Sequence, residues 1–251
     1  MEQELKRTVV DRLKEVGAYD ARVADPTVGF EHSLPDMHPL QVWPECRSII
    51  VYAVATPPEG NNTYLGPRSH CDGDRRLGPV PDDLQSEEFA VDRLCRMLLS
   101  SITLRGIAVL MEAGHDVRFW PSMGFQLKLS AYEAGIGVYG KQGIIIHPKL
   151  GSRIRLGAIA TSAMLPSDGR LIGFDPCASC EECLKACPAQ AFDRSVSYPA
   201  SYTREKCTVT RARIAKRGLY CHNCYAACPA GKIPDDELLT IRHAESYYDK
   251  Q

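Results

Sequence analysis

Eight of the 11 cysteines in this 251-residue chain lie between Cys177 and Cys228, and their spacing constrains the fold more than any other feature. The opening residues, MEQELKRTVVDRLKEVGAYD, are charged and helical in period. They show neither an apolar export core nor a small-residue cleavage site, so a reducing, cytoplasmic setting is expected. Disulfides are rare there, and clustered thiols are more often metal ligands.

The first motif is Cys177-x2-Cys180-x2-Cys183-x3-Cys187-Pro188. The second is Cys221-x2-Cys224-x3-Cys228-Pro229, with Cys207 upstream. The first is the bacterial ferredoxin run, in which three thiolates wrap one iron–sulfur cube and the fourth ligates the neighbouring cube. By that swap, one [4Fe-4S] cluster takes Cys177, Cys180, Cys183 and Cys228, and the other takes Cys187, Cys207, Cys221 and Cys224. Two zinc sites or structural thiols are the alternatives, but zinc sites pair C-x2-C with another C-x2-C or with His. The segment 177–228 carries a net charge of +4, which offsets two oxidised cubes of about −2 each. The basic stretch 204–217 therefore reads as a counter-charge to the clusters, as a solvated helix face, or as a nucleic-acid contact with little aromatic interleaving.

Thirty Lys+Arg against 31 Asp+Glu give a formal charge of −1, which excludes a global polyanion-binding field. No apolar run is long enough to span a membrane. Residues 1–18 have a helical period, with Leu5, Val9, Leu13 and Val16 on one face. SIIVYAVAT (48–56) reads as a strand buried on both faces. The Pro/Gly-rich stretch 57–83 is a loop of the length that is functional or disordered. Within it, His70-Cys71 is a reactive pair or an idle exposed one. A helix over 86–105 places Ala90, Val91, Leu94, Leu98 and Ile102 on one face, with Ser86 as N-cap and Gly106 as its stop. A short strand is expected over 117–120 and a helix over 126–134. Gly135, Gly137, Gly140 and Gly143 then punctuate a turn before strands 144–147 and 154–161. Cys46 and Cys95 read as small buried hydrophobes. The expected architecture is α+β: a layered α/β cofactor-binding domain (1–168), joined by MLPSDGRLIGFDP to a ferredoxin-like double-cluster domain (169–251).

AGIGVYGKQGIIIHPKLGSRIRLGAI, followed by the cysteine motifs, resembles the epoxyqueuosine reductase and reductive dehalogenase superfamily over roughly residues 45–235. The resemblance implies a nitroreductase- or flavin-reductase-like domain binding cobalamin, with two clusters passing electrons to the corrinoid or to a small-molecule substrate. It implies cofactor contacts at Tyr64, Gly135, Gly137, Tyr139, Gly140, Lys141 and Gly143, where the glycines let backbone approach a planar ring. Tyr139 and His147 are the candidate proton donors, and the expected partner is a low-potential donor of the ferredoxin or flavodoxin type. The acid that epoxyqueuosine reductases place about a dozen residues before A-G-I-G is replaced here by Trp120-Pro121-Ser122-Met123. The family's C-terminal tRNA domain is also not expected. A corrinoid-linked reductase is thus the first reading, and nucleic acid is not an expected partner. An electron-transfer protein that docks a partner or binds flavin, and a tRNA epoxyqueuosine reductase, are the alternatives.

Overall fold

The computed structural model describes residues 2–31, 33–56, 87–119, 126–193, 203–215 and 223–231. Tyr64, the 57–83 loop with His70-Cys71, Ser86, Trp120–Met123 and Cys221 lie outside the described residues.

Helix α1 (Glu2–Glu15) leads into β1 (Asp20–Ala24), a short helix α2 (Pro39–Val42) and β2 (Ser48–Ala55). Then come α3 (Glu87–Glu112), β3 (Val117–Phe119), α4 (Leu127–Glu133), a hairpin of β4 (Val138–Tyr139) and β5 (Ile145–Ile146), and β6 (Ile154–Thr161). The cysteine-rich segment holds α5 (Glu182–Lys185), α6 (Arg204–Ala215) and α7 (Asn223–Ala226). Among the described residues no helix is long and apolar enough to cross a membrane.

The main sheet runs β1-β2-β6-β3, and every pairing is antiparallel. The apolar run of β2 indicates burial on both faces, and both are buried, but such a run carries no information on strand direction. Alternation divides it: Ile49, Val51 and Ala53 join Phe30, Trp43, Ala131, Ile136 and Ile145 on one side. Ile50, Tyr52 and Val54 join Val9, Leu13, Ile102 and Leu110 on the other. The sheet is thus sandwiched between α1 and α3 on one face and the α4–hairpin layer on the other, the layered arrangement expected of an α+β domain.

The expected stop at Gly106 is corrected: α3 continues to Glu112. A Cβ on Gly106 would press on Ile159 of β6 and on Leu13, at 2.8 Å from the latter's Cδ2, so this glycine permits close helix–sheet packing. The helix ends instead at Gly114 (φ 83°), where Gly114 N–H bonds Met111 O (2.9 Å) and His115 N–H bonds Leu110 O (3.0 Å), a Schellman cap. Strand β1 was not anticipated from the sequence. Cys46 is 1% exposed and burial pushes its thiol up to about 12. Cys95 is also buried, so both behave as the expected small hydrophobes.

The stretch read as a linker is stitched down. Asp168 accepts from Val23 N–H (2.8 Å) and Lys6 Nζ (2.7 Å), and its own N–H donates to Val23 O (2.9 Å). Arg170 forks onto Glu133, Nε to Oε2 at 2.7 Å and Nη2 to Oε1 at 2.8 Å.

Candidate functional site

Helix α4 ends at Gly135 (φ 75°), where Gly135 N–H bonds Tyr132 O and Ile136 N–H bonds Ala131 O. The chain then enters the β4–β5 hairpin. Its tip is closed by Gly140 N–H to Ile144 O (2.6 Å) and Gly143 N–H to Gly140 O (2.7 Å), and Lys128 Nζ caps the Gly143 carbonyl at 2.8 Å. The glycines were expected to clear a path for a ring. Here the protein's own atoms fill the space above three of them: a Cβ at Gly135 would overlap the Gly169 carbonyl, at Gly137 the Ile146 carbonyl, and at Gly140 the Gln142 amide. Gly143 (φ 73°) occupies a turn conformation that favours glycine.

The hairpin tip instead meets the first cysteine motif. Lys141 Nζ donates to the Cys180 carbonyl at 3.0 Å, and the Lys141 backbone works against the rise that burial causes in the Cys177 thiol. The second motif docks nearby. Gly151 (φ 60°) lies so close to Ala230 and Gly231 that a Cβ would overlap the Ala230 carbonyl. This contact follows directly after Cys228-Pro229. Cys183 feels the negative charge of Cys177, Cys228 and Cys180, which together with burial pushes its thiol up to about 11, burial being the largest cause. Cys177 is raised by burial too, with the Lys141 backbone opposing. Four sulfurs from two motifs about 45 residues apart therefore share one electrostatic neighbourhood. A lone tetrahedral zinc would draw its sulfurs to about 3.8 Å of one another, whereas a cube holds them farther apart at its corners. Among the described residues no three His, Cys, Asp or Glu side chains are set to hold a single ion. Cys187, Cys207 and Cys224 are half-buried.

His147 is 4% exposed. Its Nδ1 accepts from the N–H groups of Lys149 and Leu150, both at 3.1 Å, so its proton sits on Nε2, 3.5 Å from Asp20 Oδ2. Both ring nitrogens are thus committed to holding the 147–151 loop. Tyr139 is half-buried beside Tyr132 (ring centroids 5.5 Å). Burial, with Glu133 and Tyr132 adding, pushes its hydroxyl up to about 12, so Tyr139 keeps its proton at neutral pH.

Two residues escaped the sequence reading. Glu133, immediately before A-G-I-G, is 3% exposed and paired with Arg170, whose guanidinium also stacks over Tyr132 at 5.1 Å. A lone acid on an apolar helix face was the available signal. Gln142 is 6% exposed and neither atom of its amide has a hydrogen-bond partner among the described residues. Nothing in its sequence context marks it.

No family model matches the chain. An epoxyqueuosine reductase of Listeria monocytogenes is 28% identical over 231 residues, covering 86% of this chain and 57% of that protein. A tetrachloroethene reductive dehalogenase of Desulfitobacterium hafniense is 35% identical over 120 residues, 41% of this chain and 22% of that protein. The chain resembles these two kinds of reductase. It spans little more than half the length of the first relative and less of the second. Among solved structures, an epoxyqueuosine reductase with a tRNA-Tyr stem loop superposes with a TM-score of 0.62 at 22% identity, over 91% of this chain and 66% of that one. A reductive dehalogenase whose structure suggests a mechanism for B12-dependent dehalogenation superposes at 0.69 and 16% identity, over 98% and 34%. At these identities the structural likeness is one of fold.

Proposed function

We propose that the chain is a two-cluster iron–sulfur oxidoreductase that carries electrons from a low-potential donor, of the ferredoxin or flavodoxin type, to a corrinoid or small molecule on the α/β domain. The observation that carries this reading is the meeting of the two cysteine motifs, whose helices α5 and α7 pack together, beside a Lys141 whose ammonium bonds the Cys180 carbonyl. The donor set fits: four soft sulfur ligands, two of them buried. When bound, the cubes supply one-electron carriers at low potential. The remaining thiols, Cys187, Cys207, Cys221 and Cys224, would hold the second cube.

The chain's own residues then divide the work. Lys141 and the Gly151–Gly231 contact fix two ligand loops on the α/β domain. Asp20 orients His147, which holds the 147–151 loop. Glu133 and Arg170 anchor the helix end that feeds the hairpin. For a corrinoid, the fitting observation is the Gln142 amide, buried and without a partner among the described residues. Gln142 and Tyr139 are the contacts to expect, rather than the three filled glycines. Cobalamin, when bound, supplies a low-valent cobalt that only a strong reductant can generate.

The test is anaerobic purification followed by metal analysis and reconstitution with hydroxocobalamin. About eight irons per chain and co-elution of the corrinoid on gel filtration are expected. Zinc in place of iron refutes the clusters, and iron without retained corrinoid favours a pure electron-transfer role.

A second reading, tRNA epoxyqueuosine reductase, is favoured by the relative matching 86% of the chain and by the neighbour solved with a tRNA stem loop. Against it stands the formal charge of −1, which the clusters make more negative. Conversion of epoxyqueuosine-containing tRNA at an enzymatic rate by the reconstituted protein would establish this second reading over the first.

A further inference from the structure

We infer that Lys141 is a positioning residue for the cube held by Cys177, Cys180, Cys183 and Cys228, and that its charge raises that cube's reduction potential. The inference rests on the iron–sulfur reading above. Three observations carry it.

The first is reach. Lys141 leaves the tip of a hairpin whose backbone is closed twice and capped by Lys128. It reaches the ligand loop through its ammonium, which donates to the Cys180 carbonyl at 3.0 Å.

The second is charge. Among the described residues Lys141 has no carboxylate partner, and its ammonium is turned to the ligand loop's Cys180 carbonyl. Lys185 is the contrast within the same motif: it is ion-paired to Glu182 at 3.0 Å, with both side chains more than half exposed.

The third is environment. The Lys141 bond to Cys180 is part-buried, where solvent and salt screen a charge less than at an open surface.

The physical consequence has a definite sign. One electron entering the cube, with its four thiolates, changes its charge from about −2 to about −3. A fixed positive charge beside the cube stabilises the more negative form and raises the potential. An electron arriving from the second cube is thereby held at the one that docks on the α/β domain.

The experiment is a redox titration of the full, anaerobically reconstituted chain with dithionite and mediators, read by electron paramagnetic resonance. Lys141→Met keeps the aliphatic stem and removes the charge. At any set potential it should lower the reduced-to-oxidised ratio of one cluster about tenfold, ~59 mV for a one-electron couple, with iron content unchanged. Lys141→Gln, which keeps a donor for the Cys180 carbonyl, should shift in the same direction and guards against loss of the loop in the Met variant. Lys141→Arg should restore the wild-type midpoint, and Lys185→Met should leave it in place. Full iron with an unmoved midpoint in Lys141→Met and Lys141→Gln overturns this inference alone. A shift in Lys141→Arg as large as in Lys141→Met also overturns it, because packing rather than charge would then be responsible. Wild-type protein carrying zinc or no iron overturns the functional reading, and this one with it.

Discussion

Replacing Asp20 by Asn tests whether the 147–151 loop is held electrostatically. Burial alone would push the Asp20 carboxyl up. The hydrogen bond from His147, together with the charge and hydrogen bond of Arg22, outweighs burial and holds it at about 2, against an ordinary 3.8. Each pKa unit is ~1.36 kcal/mol, so the ionised carboxylate contributes about 2 kcal/mol to folding. Its side chain is only 15% exposed, so solvent screening takes little from that figure. Because the folded-state carboxyl lies below its ordinary value, the stabilisation is fully present above about pH 4 and is lost as the pH falls toward 2. Asp20→Asn keeps an acceptor for His147 but removes the charge. At pH 7 it should unfold about 2 kcal/mol more easily in urea, or about 6 °C lower in a thermal scan. The gap to wild type should be constant from pH 8 to 5 and close only below pH 4. A variant within 0.5 kcal/mol of wild type at pH 7 would refute the reasoning, on the order of one surface substitution. A gap that already narrows between pH 8 and 6 would also refute it, because the titrating group would not be Asp20.

Three further outcomes are expected. Cys228→Ser should remove the cube shared with the first motif, cutting iron from about eight to about four per chain; iron analysis with Mössbauer spectroscopy checks which cube survives. Arg170→Met strands the buried Glu133 without its partner, and because Arg170 is half exposed the cost should be about 2 kcal/mol, read as a lower urea midpoint. Gly151→Val places a β-branched residue at φ 60° against the Ala230 carbonyl. It should cost at least ~2 kcal/mol and lower iron retention, measured after desalting, whereas Gly114→Ala, with open space at its Cβ, should leave iron content unchanged.

Local rules made much of this molecule readable. The 3.6-residue period located α1 and most of α3, and the apolar run of SIIVYAVAT located β2. Other features depend on partners distant in sequence. Strand β1 carries two charges in five residues and exists because β2 pairs with it. Gly106 carries the usual sign of a helix end, yet tertiary packing against Leu13 and Ile159 overrides it. The same holds at the site. The cysteine spacing predicts that Cys228 joins the first motif, and in the structure the helices that carry Cys183 and Cys224 pack together. The glycine run is equally conspicuous, but its glycines accommodate Gly169, Ile146 and Gln142, neighbours that only the folded chain supplies. Glu133 and Arg170 are 37 positions apart, with the arginine in a stretch that reads as a linker.

That stretch has a practical meaning for dividing the protein. Strand β1 is an edge of the main sheet, and an uncovered edge recruits other chains. Here Ser167 and Asp168 occupy both the N–H and the carbonyl of Val23, and Arg170 neutralises the carboxylate at the end of α4. A fragment cut at residue 163 would keep every strand of the sheet yet lose this selvage. Its bare hem would invite strand-to-strand aggregation. Cutting after Leu171 leaves the border sewn.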